Sequence, residues 1–340
     1  MVSCMDFYQY DWEIVPDKGA RLLRVRGQHP SPVLPEQIEG VPLRELGDYC
    51  FAPQGRLPER YRTTEAGRDT GGLARPAVDS AETSLRELGG SYLERLVLPD
   101  SLRRIGTYAF YNCKRLTSLA VGKRLTDIGS DAFMNCHRLK EIYLRAAPKE
   151  KTGVRFMLAQ ISQDLEVFFE AEGTLLAALF FPEYHETYDE IAPAHLFGRH
   201  IVGEGFRARQ CFEDGVADFR QYDRIFPKAC AGEEEGTLCA IAWDRLRCPI
   251  ELEEQPGRRY ADYLRAHSAA LQERFLRERD SGQLVLLGDM GFLSKEEVWH
   301  CIRRASAAGW AKGAAELMRM KNRRFPEQKA AARYTFDDEI

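Results

Sequence analysis

The chain reads as an α+β protein, a short β-solenoid in the N-terminal half followed by an α-helical domain. Three observations predict this. A stretch between residues 105 and 142 repeats itself at a fixed spacing. Apolar residues alternate at period two between the copies, and beyond residue 216 their spacing changes to three and four.

The repeat is visible residue by residue. Ile105-Gly106, Ala109-Phe110, Asn112-Cys113, Leu116 and Leu119 recur as Ile128-Gly129, Ala132-Phe133, Asn135-Cys136, Leu139 and Ile142, each 23 residues on. Carrying the offset backwards from Leu119 reaches Leu96, and carrying it forwards from Ile142 reaches Leu165. A degenerate earlier copy runs from Val33 to Phe51, with Leu46-Gly47 standing for Ile105-Gly106 and Phe51 for Phe110.

One such coil cannot bury its own apolar face, so neighbouring coils must stack around a shared core. Leu96 and Leu98, Leu119 and Val121, and Ile142 and Leu144 alternate as strands with one buried face do. Gly106 and Gly129 are expected at tight corners. Ala109-Phe110 and Ala132-Phe133 are expected to pack the far side of each coil. Asn112 and Asn135 are expected to bond the backbone of adjacent coils. Cys113 and Cys136 occupy one repeat position and read as small buried hydrophobes, stacked coil on coil.

This pattern resembles the BspA-like class of bacterial leucine-rich repeats, over residues 33–169. The resemblance implies a leucine-rich-repeat β-solenoid and, from the general use of that architecture, protein binding. Members of the class are largely surface or secreted adhesins. That role for this chain requires an export signal upstream of Met1.

Bulk properties narrow the classes further. With 48 basic and 52 acidic side chains the formal charge is −4, which gives no overall field for nucleic acid or an anionic membrane. No apolar run approaches the roughly 20 residues of a membrane helix. The N-terminus carries neither a basic segment nor an apolar one, and nine scattered cysteines form no close pair. Those features point to a cytoplasmic protein with reduced thiols.

Four segments are expected: a solenoid over 1–181, a connecting or cap segment over 182–215, an α-helical repeat-like domain over 216–326, and a flexible tail over 327–340. Residues 55–84, rich in Arg, Gly, Thr, Glu and Asp, read as a disordered-looking insertion in the solenoid. Leu175–Phe181 reads as a buried strand capping the sheet. In the helical part, Thr237–Arg247 and Tyr260–Arg279 carry apolar faces. Ser294 to Glu297 forms a capping box, and Gly309 ends the helix that it opens. Paired short helices with a glycine turn are similar to ankyrin-like hairpins, without that family's signature tetrapeptides.

Two sets of residues are candidates for function. On the open face of the solenoid sheet, Arg95, Val97, Ser118, Ala120, Glu141 and Tyr143 alternate with the buried aliphatics and form a mixed surface suited to a protein partner. Between 183 and 211, His185, Glu186, Asp189, His195 and His200 gather side chains that a metal or an acid/base pair would use. Their spacing fits no known ligand motif, and a polar cap segment is the favoured reading. The sequence therefore predicts a non-catalytic protein-interaction scaffold with no cofactor. The alternatives are an enzyme or metal protein centred on 183–211, or a cell-surface adhesin.

Overall fold

The computed structural model describes residues 7–53, 55–67, 85–191 and 196–326. The chain forms two compact units: Met1–Glu233 with Asp244–Gly257, and Glu234–Trp243 with Arg258–Ile340. The division thus falls later than residue 216 and passes within a helix.

The first unit opens with an antiparallel hairpin, β1 (Phe7–Val15) and β2 (Gly19–Gly27), followed by β3 (Gln37–Ile38) and β4 (Val41–Leu46). Next come β5 (Arg62–Gly67) and β6 (Arg86–Glu87). Part of the stretch read as an insertion is therefore regular structure, because β5 pairs antiparallel with β1. Thr64 accepts a hydrogen bond from Trp12 Nε1 at 3.0 Å, giving the buried indole its partner. Period-two apolar patterning could not reveal this strand, since its residues Arg62-Thr63-Thr64-Glu65 are all polar. The rest of that stretch, 68–84, and the tail 327–340 lie outside the described residues.

The repeats follow as β7 (Arg95–Val97), β8 (Arg104–Ile105), β9 (Ser118–Gly122), β10 (Asp127–Ile128), β11 (Glu141–Arg145), a helical turn α1 (Val154–Leu158), β12 (Leu165–Ala171) and β13 (Thr174–Phe181). Successive coils feed two sheets. One runs β13-β12-β11-β9-β7; the other runs β10-β8-β4-β2-β1-β5. The degenerate first coil sits where the repeat predicts, with Leu46 in register with Ile105. Phe51, Phe110 and Phe133 stack at 5.2 and 5.3 Å, within 6° of parallel. Such a ladder follows from placing the same residue at the same point of every coil.

Cys113 and Cys136 are buried in this stack. Their thiols donate to the carbonyls of Phe51 and Phe110, at 3.3 and 3.0 Å. Burial pushes both thiols up, Cys136 to about 12, which keeps them protonated and unreactive. Asn112 and Asn135 differ from expectation: Asn135 Nδ2 donates to Asn112 Oδ1 at 2.9 Å, side chain to side chain. Both sit at positive φ, which asparagine tolerates.

The repeat glycines also differ in their reason for being there. Neither Gly106 nor Gly129 has a positive φ. A Cβ on Gly129 would instead stand 2.4 Å from the Thr107 nitrogen of the preceding coil. These glycines permit close stacking rather than a turn.

One register expectation is corrected. Ile142 pairs with Val167, not with Leu165, so this coil spans 25 residues rather than 23. Its connection holds the α1 turn, which buries Val154, Met157 and Leu158. β13 then runs antiparallel to β12 and ends the parallel stacking, but it is buried only from Ala177 on, with Leu175 37% exposed.

Residues 182–215 are not a bare linker. β14 (His185–Ile191) and β15 (Leu196–Val202) form a hairpin, followed by α2 (Gly205–Ala208) and the small pair β16 (Phe212–Glu213) and β17 (Val216–Ala217). Short helices α3 (Phe219–Asp223) and α4 (Phe226–Ala229) precede α5 (Glu235–Arg247), whose C-terminal residues belong to the first unit.

In the second unit, α6 (Glu254–His267) from Arg258 on, with α7 (Ala269–Glu278), α8 (Ser281–Asp289), α9 (Lys295–Ala307) and α10 (Ala311–Arg324), buries Tyr260, Leu264, Leu271, Phe275, Leu287, Val298, Ile302 and Leu317. α7 packs on α8 and α9, and α10 packs on the same two helices. The run Tyr260–Arg279 is interrupted at Ser268, whose hydroxyl accepts a hydrogen bond from Gln272 Nε2 at 3.1 Å. Gly309, at φ +66°, closes α9 as expected.

The Ser294 capping box is present in full. Burial alone would raise the Glu297 carboxyl. Hydrogen bonds from Ser294, Gln272 and Ser268 outweigh it and hold the carboxyl below its ordinary range. Because its folded value is depressed, this carboxylate stabilises the unit above the usual carboxylate range. That contribution is lost as pH falls through the folded value. Ser294→Ala should lower the stability of this unit by about 1 kcal/mol in urea unfolding at neutral pH, and by less at acid pH.

Candidate functional site: the open face of the solenoid sheet

The β7-β9-β11-β12-β13 sheet buries one face against the coil interior and turns the other outward. Leu96, Leu119, Val121, Ile142, Leu144 and Val167 form the inner face, all at or below 1% exposure. On the outer face the register aligns residues into rows. Arg95, Ser118, Glu141 and Glu166 make a polar row. Val97, Ala120, Tyr143, Phe168 and Ala178 make an apolar one. Val33 pairs with Val97 beyond β7 and lengthens the apolar row by one position. Gly122, Arg145 and Glu170 flank its other side.

All six predicted face residues therefore lie together, though unequally open. Arg95 is exposed, Val97, Ala120, Glu141 and Tyr143 are half-buried, and Ser118 is buried between the longer Arg95 and Glu141. Val33, which the sequence reading left out, is 52% exposed. The Tyr143 and Phe168 rings stack at 4.8 Å and 26°. Tyr143 donates its hydroxyl proton to Glu141 Oε2 at 3.2 Å. Burial first, then the charges of Glu141, Glu166 and Glu170, push the Tyr143 hydroxyl well above its ordinary pKa.

The β12 end of the face is covered by the chain itself. Arg247 lies over the Phe168 ring at 5.4 Å, and its Nη2 meets Glu166 Oε1 at 2.9 Å and Asp244 Oδ1 at 2.6 Å. Burial alone would lower the Arg247 guanidinium, but these two carboxylates raise it instead. Cys248 packs with Phe168 and Ala178, and Tyr143 touches the edge of that cluster. Beneath, Arg245 anchors the segment through a two-pronged contact with Asp223, at 2.7 and 3.0 Å. Sequence reading missed Glu166, Phe168 and Arg247. Alternation from Leu165 already sets the first two on the outer face, and the two extra residues of this coil bring them level with Glu141 and Tyr143. No periodic signal could have placed Arg247.

The second candidate set is less convergent. His185, Glu186 and His200 lie on the β14–β15 hairpin, where His185 pairs with Val202, Glu186 with Ile201, and His200 with Thr187. Alternation puts His185 and His200 on one hairpin face and Glu186 on the other. His185 is exposed, with Nε2 at 3.4 Å from Glu183. Asp189 pairs with Gly198, and His195 lies outside the described residues. Among the described residues no group of three His, Cys, Asp or Glu side chains is placed to hold a metal ion.

Two shallow depressions lie elsewhere on the surface. One of about 410 Å³ includes Arg24, Arg86 and Arg115. Arg24 is paired with Glu87, Arg115 with Glu94, and Arg86 lies over Tyr92. The other, of about 440 Å³ in the second unit, includes Arg277, Arg279, Arg304 and Trp310, with Arg304 forked on Glu273. Among the described residues no helix is long and apolar enough to cross a membrane.

Comparison with known proteins agrees with the repeat. The family described as BspA type leucine-rich repeat region (6 copies) matches residues 88–160, about a fifth of the chain. The match does not reach the helical region, and no repeat family supports the ankyrin-like expectation there. No curated protein and no solved structure matches the chain. In its repeat region this chain is thus similar to BspA-type leucine-rich repeat proteins, a likeness that suggests a protein-interaction role.

Proposed function

We propose that this protein is a non-catalytic interaction scaffold whose open sheet face, from Val33 through Val97 and Ala120 to Tyr143, receives an extended segment of a partner protein. One observation carries the reading. The apolar row is continuous across the sheet, yet among the described residues only its Phe168–Ala178 end is covered, and what covers it there is a segment of polypeptide. The uncovered end offers a similar surface: accessible apolar side chains with Arg95, Ser118 and Glu141 along one side and Gly122 and Arg145 along the other. An apolar strip with a polar rim is the usual anatomy of a protein interface.

Ala120 is the place to test it, since a long charged side chain there stands in the middle of the strip. Ala120→Lys points outward and should leave thermal unfolding unchanged. It should lower recovery of a co-purified partner by about tenfold or more. Equal recovery by both proteins, each folded, would place the partner elsewhere.

A further inference from the structure

We propose that the depression at the C-terminal ends of α7 and α9, in the second unit, is a receptor for a phosphate monoester. The assignment is independent of the sheet face and stands on the helical unit alone.

Arg277, Arg279 and Arg304 line the depression, and the acceptors beside them are already taken. Both oxygens of Glu273 hold Arg304, at 2.7 and 3.1 Å. Glu278 is held by Arg274 at 3.3 Å, and Asp280 accepts the Gln283 amide at the start of α8. What remains are donors. Arginines near a helix C-terminus commonly serve the free carbonyls there. Arg279 does so in part, with Nη2 on the Ala308 carbonyl at 3.3 Å. Arg277 is exposed and meets neither a carbonyl nor a carboxylate among the described residues.

Trp310 is the second, separate observation. Its side chain lines the same depression and is only 9% exposed, yet its indole N–H has no acceptor among the described residues. A buried indole normally finds one. Trp12 finds Thr64, and Trp243 finds Gln283 at 2.7 Å. The Trp310 nitrogen is not sealed from solvent either. Gly313 presses on the ring, since a Cβ there would stand 2.3–2.5 Å from three of its atoms. The part of the indole left open therefore borders the depression.

Donors without a free acceptor select an oxyanion. The two guanidiniums without a carboxylate, on Arg277 and Arg279, match the charge of roughly −2 on a phosphate monoester, and the indole N–H serves a further oxygen. A carboxylate brings one charge and two oxygens, so it leaves a donor unmet. Leu276, Ala305 and Ala308 give the depression an apolar wall, and its volume of about 440 Å³ exceeds that of a phosphate group. That wall takes the group that carries the phosphate.

Calorimetric titration of the full chain with phenyl phosphate, phenylacetate and inorganic phosphate tests the assignment. Phenyl phosphate should bind about tenfold more tightly than either of the others, and more weakly as salt rises. Arg277→Gln changes an exposed side chain and should cost about tenfold in affinity, while Arg277→Lys should recover only part because it lacks the fork. Trp310→Phe keeps a ring and loses the N–H, and should cost about threefold or more. Its thermal unfolding is measured alongside, and the Arg277 variants decide the matter if it does not fold. Adenosine monophosphate and a phosphoserine pentapeptide distinguish a small carrier from a protein side chain; whichever binds more tightly names the source. Phenylacetate binding as tightly as phenyl phosphate overturns the assignment, as does unchanged affinity in Arg277→Gln or no binding of phenyl phosphate. Inorganic phosphate binding as tightly as the ester would mean an adventitious ion only, and overturns it too.

Discussion

Replacing Arg209 with methionine is expected to destabilise the first unit by about 3–5 kcal/mol, read as a lower urea midpoint at unchanged slope. Arg209 is 3% exposed, and its guanidinium is spent on main-chain carbonyls. Nε donates to Ile161 at 2.9 Å, Nη1 to Pro182 at 2.5 Å and Gly205 at 3.0 Å, and Nη2 to Gln163 at 2.7 Å. The plane lies 5.0 Å from the Tyr184 ring and 5.8 Å from Phe181. These carbonyls belong to the chain entering β12, leaving β13 and starting α2, where the repeat stops and no further coil supplies backbone partners. Arg209 supplies those donors instead.

Burial lowers the Arg209 guanidinium to about 10, which leaves it charged at neutral pH. Methionine fills the space but leaves the acceptors without a donor, and each such buried group costs about 1–3 kcal/mol. Arg209→Lys keeps the charge without the fork, so it should recover less than half of the loss. Hydrogen exchange at Tyr184, whose amide donates to Ser162, should accelerate in step. An unchanged midpoint in Arg209→Met would show that other groups close this end.

Asp223→Asn is expected to cost a similar amount, about 3–5 kcal/mol, because it leaves the Arg245 guanidinium buried without its counter-charge. Both side chains are at most 3% exposed. Arg245 also donates to the carbonyls of Cys248 and Ile250, at 3.3 and 3.0 Å, and lies 5.0 Å from the Phe219 ring. The pair therefore holds the segment that lays Arg247 and Cys248 on the sheet. Loosening it should uncover the β12 end of the face. Cys248 reports on this directly, being buried in the folded protein, whereas Cys230 is exposed and serves as reference. Thiol labelling of Cys248 relative to Cys230 should rise tenfold or more in Asp223→Asn. A double-mutant cycle with Arg245→Leu should show strong coupling, since the second change removes the stranded charge. Additive losses would mean that the two side chains act independently.

Legibility differed between the two kinds of feature. The repeat motif placed Leu46 beside Ile105 and Phe51 beside Phe110, and the 23-residue offset placed all six face residues on one surface. It could do so because stacked coils turn sequence spacing into spatial register. It failed at the coil lengthened by α1, where Leu165 stood in for Val167, and at β5, which pairs through polar residues. The His185, Glu186 and His200 group looked dense in sequence because a hairpin doubles back, yet strand alternation sends its members to opposite faces.

The sequence by itself determined that coils stack, which face of each strand is buried, and which residues line the other. Those facts follow from periodicity alone, since a residue repeated at a fixed offset meets its own copy. Only the tertiary structure decided how much of the outer face stays open. That depends on where residues 244–248, about a hundred positions beyond β11, return to the sheet, and on Arg245 and Arg209 finding partners far away in the chain. Contacts of that kind carry no period. They are selected by the three-dimensional closure of the chain, where a buried guanidinium must meet carboxylates or carbonyls that only the folded path brings within reach.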